Sequence, residues 1–281
     1  MSGAEHFSDA QAINAYMDKH VRIDVSRAVD EHREIRRALE AAGVRVVSVD
    51  PPPGCQDGVY TANWALVRGD RAILSTLPNA RTGEEPYAEQ VLGDLGKDVV
   101  RVPDGLHFSG QGDALPCGNY LLTGSGYRTD VAAHGFVANQ LGYDLVALEA
   151  VPKRRFFGRG RPVINRDSGW PDSFFYDIDL AVAVLRDDLI AWCPEAFVPE
   201  SQAKIRSLPG VDKIEVSYGE ATKGFACNLV STGEAVVMSA RAPRLRSAIE
   251  DRGLATSTID AAELGKGGGY IRCCTLTLDN E

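Results

Sequence analysis

The chain has 281 residues, of which 44% are hydrophobic, and its formal net charge is −9. This is enough apolar material for a sizeable core. The acidic balance argues against a nucleic-acid surface, which needs clustered cations to neutralise phosphates. No apolar run approaches the roughly 20 residues of a membrane span, and residues 1–6 lack the features of a signal peptide. We expect one cytoplasmic domain over residues 1–281, without nucleic-acid or membrane partners; a homo-oligomer is left open.

A hairpin pattern recurs four times along the chain. In the first copy, apolar runs at residues 63–67 and 72–75 flank an Arg-Gly-Asp-Arg turn, as antiparallel strands do. Further copies occupy residues 114–122, 180–192 and 228–238. Each is followed by a segment of helical periodicity, at residues 84–95, 129–141, 200–208 and 243–252. A short strand is then predicted at residues 99–102, 145–148, 213–216 and 256–259.

A fifth unit is predicted from the two ends of the chain. It would combine a helix at residues 27–42, a strand at residues 44–49 and a terminal strand at residues 271–278. Repetition of a ββαβ order at this spacing predicts an α/β fold whose units are arranged around an axis and pack on their neighbours. An open α/β sheet of the same elements is the alternative. A basic stretch at residues 153–162 is predicted to be a loop.

Polar residues stand where the chain enters the first strand of each predicted unit. These entrances are residues 57–63, 108–113, 174–179, 225–228 and 269–273. Carboxylates, amides and thiols beside apolar strands are unfavourable to bury unless they are paired, so we expect the entrances to meet at one site. The six cysteines contain no CxxC pair, which indicates reduced thiols rather than disulfides or zinc ligands. We expect no metal and no cofactor.

Three glycines, Gly267 to Gly269, precede the neighbouring thiols of Cys273 and Cys274. A glycine run loses much conformational entropy on folding, and its use indicates that something packs closely against the backbone. A substrate is one interpretation. A glycine-rich turn before a last strand with two buried cysteines is the other.

With these motifs the chain resembles the guanidino-group modifying enzymes: dimethylarginine dimethylaminohydrolase, arginine deiminase, arginine dihydrolase and the amidinotransferases. The resemblance covers residues from about 57 to the C-terminus. It implies a five-bladed α/β propeller with pseudo-five-fold symmetry. It also implies that Cys273, which follows the glycines as the family's nucleophile does, attacks the guanidinium carbon of the substrate.

The resemblance further implies which residues bind the guanidinium. Asn63, in Tyr-Thr-Ala-Asn-Trp, stands where the family has a guanidinium-binding aspartate. Ser109, in Ser-Gly-Gln-Gly-Asp, stands where the family has a glutamate. Asp179 retains the aspartate of the family's His-x-Asp motif.

The amino-acid end of the substrate has its own implied contacts. Asp57 matches a residue that contacts the substrate backbone in dimethylargininases. Arg128 matches the arginine that binds the α-carboxylate, and Arg81 is a second candidate for that contact.

The family's acid/base histidine is replaced by Asp177. Residues two apart on a strand face the same side, and like charges at short range raise the pKa of one of them. Asp177 is therefore the predicted proton carrier, whose replacement by asparagine would abolish turnover; two solvated carboxylates at a strand end are the alternative. His107 and His134 are other candidates for the missing base. Nearby aspartates also raise the pKa of a thiol, so Cys273 would stay protonated until a cationic substrate arrives.

The resemblance therefore implies an amidine hydrolase that acts on the guanidino C–N bonds of arginine or a close derivative, a small cationic substrate. Asn63 favours a dihydrolase that yields ornithine, because an amide can bind a neutral ureido oxygen as well as a cation. One alternative is a dimethylarginine dimethylaminohydrolase that yields citrulline and a methylamine. The other is a catalytically silent propeller that binds arginine analogues.

Overall fold

The computed structural model describes residues 1–18, 20–77, 79–153, 161–166 and 169–280. Most of the predicted basic loop, residues 154–160, lies outside these ranges. No helix within the described ranges combines the length and the apolar character needed to cross a bilayer. Each of the six cysteines is a free thiol, as predicted.

The fold is a mixed α/β arrangement of small sheets. It begins with helix α1 (Val25–Ala41), which is capped by the side chain of Asp24, an acceptor for the Arg27 N–H at 3.1 Å. A capping carboxylate satisfies one of the free N–H groups of the first turn. The buried face of α1 includes Ala28, Ile35 and Leu39, whose spacing follows the helical period.

Four ββαβ units follow, and each forms its own three-stranded sheet. The first and second strands of each unit pair antiparallel, and the second and third pair parallel. The first unit comprises β1 (Ala65–Arg68), β2 (Arg71–Leu74), α2 (Glu85–Asp94) and β3 (Asp98–Arg101); the second comprises β4 (Ala114–Cys117), β5 (Tyr120–Thr123), α3 (Val131–Leu141) and β6 (Asp144–Ala147). The third comprises β7 (Val182–Arg186), β8 (Leu189–Trp192), α4 (Pro199–Ser207) and β9 (Asp212–Glu215), and is followed by α5 (Tyr218–Gly224). The fourth comprises β10 (Val230–Ser231), β11 (Ala235–Ser239), α6 (Pro243–Glu250) and β12 (Ala255–Ile259), and is followed by α7 (Ala262–Lys266).

The predicted elements of these four units are all present, with bounds that differ by no more than about two residues. The alternative of one open sheet is wrong, because the strands form separate sheets. Helices α5 and α7 were not predicted; both are short.

The fifth predicted unit is wrong in its strands. Residues 44–49 contribute a single parallel bridge, between Ser2 and Val49, and residues 271–274 form a turn. The backbone N–H groups of Tyr270 and Cys273 donate to the side-chain oxygen of Asn228 at 3.0 and 3.1 Å. These backbone N–H groups are therefore satisfied by the Asn228 side chain rather than by a neighbouring strand.

The first strands of the units lie next to one another. Strand β7 packs between β4 and β10, and β1 contacts the turn that leads into β4. Strands β1, β4 and β7 are buried over most of their length, whereas the short β10 is half-buried. The packing therefore brings the ends at which the chain enters these strands close together.

Candidate active site

Tight turns lead into the first strands, and these turns carry the polar residues. Short 3₁₀ turns at Thr61–Trp64, Gly110–Gly112 and Ile178–Leu180 precede β1, β4 and β7. Turns at residues 226–227 and 271–274 hold the equivalent positions before β10 and around the thiol. Because a turn presents consecutive side chains at the end of its strand, the five predicted entrances supply one polar cluster, linked by the hydrogen bonds below.

The Cys273 thiol lies buried between a carboxyl and an amide. Its Sγ donates to Asp179 Oδ2 at 3.2 Å and accepts a hydrogen bond from Asn228 Nδ2 at 3.1 Å. Burial, followed by the charges of Asp179 and Asp177, raises the pKa of Cys273 well above its ordinary value. The thiol is therefore protonated at neutral pH, which agrees with the expectation from the sequence.

Asp179 is the carboxyl in contact with the thiol. It is fully buried, and its Oδ1 has no hydrogen-bond partner among the described residues. Burial and then the charge of Asp177 raise the pKa of Asp179 to about 7. The predicted repulsion between the two carboxyls is present and acts on Asp179, although Ile178–Leu180 forms a turn rather than the expected strand. A carboxyl with this pKa can take up or release a proton near neutral pH.

Asp177 has a different environment, in which three side chains donate to it. Oδ2 accepts from Asn63 Nδ2 at 2.8 Å and from Arg128 Nη1 at 3.2 Å, and Oδ1 accepts from Ser109 Oγ at 2.9 Å. Asn63 Nδ2 also donates to Ser109 Oγ at 2.9 Å. Asp177 is only 1% exposed, so the alternative of a solvated carboxylate pair is wrong.

The lack of a side chain at Gly112 leaves room for the side chains of Asn63 and Asp177. A Cβ at this position would overlap Asn63 Nδ2 and lie 2.9 Å from Asp177 Oδ2. We expect Gly112→Ala to displace both side chains, to lower the free energy of unfolding by about 1–3 kcal/mol and to impair turnover. The matched control is Gly135→Ala, in the interior of α3, where a Cβ meets nothing within 4 Å. It should stabilise the protein by about 0.5–1 kcal/mol in the same denaturation experiment; equal behaviour of the two variants would contradict the packing argument.

Arg81 is buried beside Glu84. Its guanidinium donates to both carboxylate oxygens of Glu84, with the shorter contact at 2.7 Å, and to Asn63 Oδ1 at 2.6 Å. It also donates to the backbone oxygens of Asp57 and Tyr60. This placement does not fit the predicted contact with a substrate carboxylate. Arg81 instead orients Asn63, whose oxygen faces Arg81 and whose amide nitrogen faces Asp177.

Asp57 and Arg128 lie at another part of the same cluster. Asp57 Oδ2 accepts from Gln56 Nε2 at 2.9 Å, whereas its Oδ1 is buried without a partner among the described residues. Burial raises the pKa of Asp57 to about 6, against the opposing charges of Arg81 and Arg128. The Arg128 guanidinium lies over the ring of Tyr176, 4.1 Å from its centroid. Such stacking favours a buried cation.

The sequence interpretation missed several residues of the site. Asn228 holds the thiol and the backbone around it, as described above. Gln111 Oε1 accepts from Arg272 Nη2 at 2.8 Å and from the Thr277 N–H at 2.9 Å. Asp113 Oδ1 accepts from the Ile178 N–H at 3.1 Å, and burial raises its pKa well above the ordinary value. Most of these residues lay inside the polar entrances, so position within the repeat was the signal that could have found them.

The two histidines considered as bases have partners elsewhere. His107 Nδ1 lies 3.1 Å from Asp130 Oδ2, and its ring packs edge-on against Trp170. His134 Nε2 lies 2.7 Å from the Gly124 oxygen, inside the second unit. These contacts give neither imidazole a role at the thiol.

The glycine run accommodates protein side chains. A Cβ at Gly267 would overlap the Tyr60 hydroxyl, one at Gly268 would lie 2.5 Å from Asn14 Oδ1, and one at Gly269 would lie 2.5 Å from the Tyr60 ring. The glycines pack against protein side chains and both cysteines are buried, as the second interpretation expects, but the last strand that it includes is absent, because residues 271–274 form a turn. Within the described ranges, no group of His, Cys, Asp and Glu side chains is arranged to hold a metal ion.

Known proteins are similar to this chain in sequence and in fold. An N(G),N(G)-dimethylarginine dimethylaminohydrolase of Mycobacterium tuberculosis is 32% identical over 99% of this chain and 84% of its own length. The bifunctional arginine dihydrolase/ornithine cyclodeaminase ArgZ of Synechocystis is 27% identical over 98% of this chain, which spans only 37% of that larger protein.

Crystal structures of the ArgZ N-terminal domain superpose on this chain with a TM-score of 0.88 at 27% identity, over 100% of this chain. One is bound to product, and the other, an asparagine-to-serine variant, is covalently bonded to a reaction intermediate. The model of the family described as eukaryotic N,N dimethylarginine dimethylhydrolase matches residues 4–279. Since that match covers nearly the whole sequence, the chain belongs to the N,N dimethylarginine dimethylhydrolase family.

Proposed function

We propose that this chain is an amidine hydrolase that cleaves a guanidino C–N bond of arginine or a close derivative, with Cys273 as the covalent nucleophile. The contact between the thiol and Asp179, at 3.2 Å, is the observation that carries the proposal. It places a nucleophile beside a group that can accept its proton. The buried carboxyls around it favour a cationic ligand. The covalent intermediate on the related ArgZ domain supports the same chemistry.

The substrate activates the thiol. A guanidinium placed against Asp179 brings a positive charge that lowers the pKa of Cys273, and Asp179 Oδ2 takes the thiol proton. The sulfur then bonds to the guanidinium carbon. The C–N bond to the departing nitrogen breaks as Asp179 returns the proton to it, and an amine leaves behind a thiouronium adduct on Cys273.

Water completes the reaction. It adds to the carbon of the adduct and gives one proton to Asp179, after which the C–S bond breaks, the sulfur takes the remaining hydroxyl proton and a ureido product is released. Asp179 passes its proton to solvent. The sequence predicted Asp177 as the proton carrier. Both oxygens of Asp177 already accept hydrogen bonds, so we assign it the role of positioning Asn63, Ser109 and Arg128.

The products distinguish the candidate reactions. The amide N–H groups of Asn63 donate to Ser109 and Asp177, so a ureido group reaches them by replacing one of these bonds. An asparagine at this position favours a second hydrolysis to ornithine, since an amide can bind a neutral ureido group. We expect ammonia and ornithine from arginine, measured by chromatography and a coupled ammonia assay. Methylamine from dimethylarginine would select the dimethylargininase instead. A thermal shift with these ligands but no product would leave an arginine-analogue-binding protein and overturn the hydrolase proposal.

We further propose that the four units and the segments around α1 form a five-bladed propeller within one cytoplasmic domain. The Met1 amine donates to the Val47 oxygen at 2.8 Å, and the Val49 N–H donates to the Met1 oxygen at 3.0 Å. The Ala62 N–H donates to the Cys273 oxygen at 3.0 Å. These contacts support a fifth position between the fourth unit and the first, occupied by α1 and irregular segments.

A further inference from the structure

The arginines of the site differ in whether they are ion-paired. Arg128 lies 3.2 Å from Asp177, and Arg81 lies 2.7 Å from Glu84. Arg272 forms no ion pair within the described ranges, and its side chain donates to neutral groups instead. The positive charge of Arg272 is therefore not neutralised by a contacting carboxylate, and it remains available to more distant groups of the site.

The neutral partners of Arg272 hold its guanidinium in place. Nη2 donates to Gln111 Oε1 at 2.8 Å, and Nη1 donates to the backbone oxygen and the hydroxyl of Thr275 at 3.2 and 3.3 Å. Gln111 is fully buried and is itself fixed, since it accepts from the Thr277 N–H at 2.9 Å and donates to the Thr277 oxygen at 2.8 Å. A planar guanidinium bound through both terminal nitrogens keeps its charge in one position.

This fixed charge acts on the thiol and on the carboxyl that contacts it. Arg272 directly precedes Cys273 in the sequence, and burial lowers the pKa of Arg272 while the charges of Asp179 and Cys273 oppose that shift. The influence is mutual. Burial and the charge of Asp177 raise the pKa of Asp179 to about 7, and the charge of Arg272 is the largest contribution that opposes this rise. A cation near a carboxyl and a thiol favours the ionised form of each.

Several acids face Asp179 from the neighbouring turns. They are Asp113, Tyr176, Asp177, Cys227, Cys273 and Cys274. Each of these acids is neutral or negative at any pH, so their charges can only raise the pKa of Asp179. A carboxyl surrounded in this way needs a cation to remain ionised at neutral pH.

We propose that Arg272 is a positioning residue: its charge keeps Asp179 in the carboxylate form that takes the proton of the Cys273 thiol. As that proton passes from Sγ to Oδ2 of Asp179, the negative charge moves from the carboxylate to the sulfur, and the same cation acts on both groups. The inference rests on the proposed function for the reaction at Cys273. It adds a residue that acts on this reaction through Asp179 without contacting the substrate.

Arg272→Gln tests the inference through the pH profile of turnover. The substitution removes the charge and keeps hydrogen-bonding groups, so the pKa of Asp179 should rise and the acidic limb of kcat/KM should move upward from about 7 by about one pH unit. The loss of kcat/KM should be roughly tenfold at about pH 6 and should shrink as the pH rises. Arg272→Lys retains a cation, so its limb should stay near the original pH. A limb that stays in place in the glutamine variant, or that moves equally in both variants, would overturn the inference.

Two further variants separate the effect of this charge from effects of misfolding and of net charge. Gln111→Glu leaves Arg272 in place but gives it a carboxylate partner, so it should move the acidic limb in the same direction as Arg272→Gln. Arg246→Gln is the matched control, because it removes a cation from an exposed ion pair with Glu250 on α6 and should leave the limb unchanged. A shift with Arg246→Gln, or none with Gln111→Glu, would contradict the role given to the Arg272 charge.

Alkylation of Cys273 by iodoacetamide separates this inference from the proposed function, because it requires no turnover. The reagent reacts with the thiolate, and mass spectrometry measures the modified Cys273 peptide. At the same pH, the Arg272→Gln protein should be alkylated roughly tenfold more slowly than the unmodified protein. Slower alkylation without ammonia release from any guanidine refutes the hydrolase and keeps the influence of Arg272 on the thiol. Ammonia release with unchanged alkylation and an unchanged acidic limb refutes only the inference.

Discussion

Replacing Cys273 with alanine is expected to reduce ammonia release by at least about 10⁴-fold, because it removes the sulfur that forms the covalent adduct. Removal of the thiol leaves Asp179, Asn63 and Asp57 in place, so ligand binding should persist. Steady-state assays and calorimetry on the same preparation measure the two quantities. Mass spectrometry should also detect an adduct on the unmodified protein that is missing from the variant.

Cys274 provides the matched control for this experiment. It is the next residue, it is fully buried, and burial raises its pKa far above the ordinary value. Cys274→Ala removes the same atoms from the apolar core, so it should cost about 1–2 kcal/mol of stability and keep turnover within a few-fold. Equal loss of activity in the two variants would show that the effect of Cys273→Ala comes from packing.

Asp179→Asn is expected to lower kcat by about 10²–10⁴-fold, the usual contribution of a positioned acid or base. The carboxyl must be ionised to accept the thiol proton, so kcat/KM of the unmodified protein should fall as the pH drops below about 7, the pKa of Asp179. The asparagine variant should lack this dependence. Retention of the acidic limb in the variant would assign it to another group.

The pH dependence of the free energy of unfolding tests the raised pKa of Asp179 without reference to turnover. Asp179 and Asp57 have folded-state pKa values of about 7 and about 6, above those of free aspartate. A group with a raised pKa stabilises the fold fully below its unfolded value of about 4, and this contribution is lost as the pH rises through the folded value. Asp179→Asn should therefore be at least as stable as the unmodified protein at pH 8, and its stability should decline less between pH 4 and 8.

The fold of the four repeated units could be predicted from the sequence because each signal is local. Turns such as the one at Gly69 separate short apolar runs, and each helix follows with its own periodicity. The fifth position had no such signal. Its segments come from opposite ends of the chain, and the contacts that join them include a single bridge at Val49 and hydrogen bonds to the side chain of Asn228. Neither contact leaves a pattern of alternating residues.

The composition of the site could be predicted, whereas its internal pairing could not. The repeat placed Asn63, Asp179 and Cys273 at equivalent entrances, and the structure brings them together. The pairing of Asp177 with Arg128 joins residues that are 49 positions apart and share no motif. The different surroundings of Asp177 and Asp179 likewise depend on a turn and on donors from other units, which sequence spacing does not encode.

The contacts that complete the site join early and late parts of the chain. Asn14 Nδ2 donates to the Gly267 oxygen at 2.9 Å, across 253 positions, and the Glu31 carboxylate accepts from the Glu263 N–H across 232 positions. Such non-local contacts must overcome a large loop-closure entropy before they contribute, which makes them slow to form. A chain that has folded its repeated units but not this closure still lacks the arrangement around the thiol. Acquisition of reactivity is thereby coupled to the most non-local event in folding.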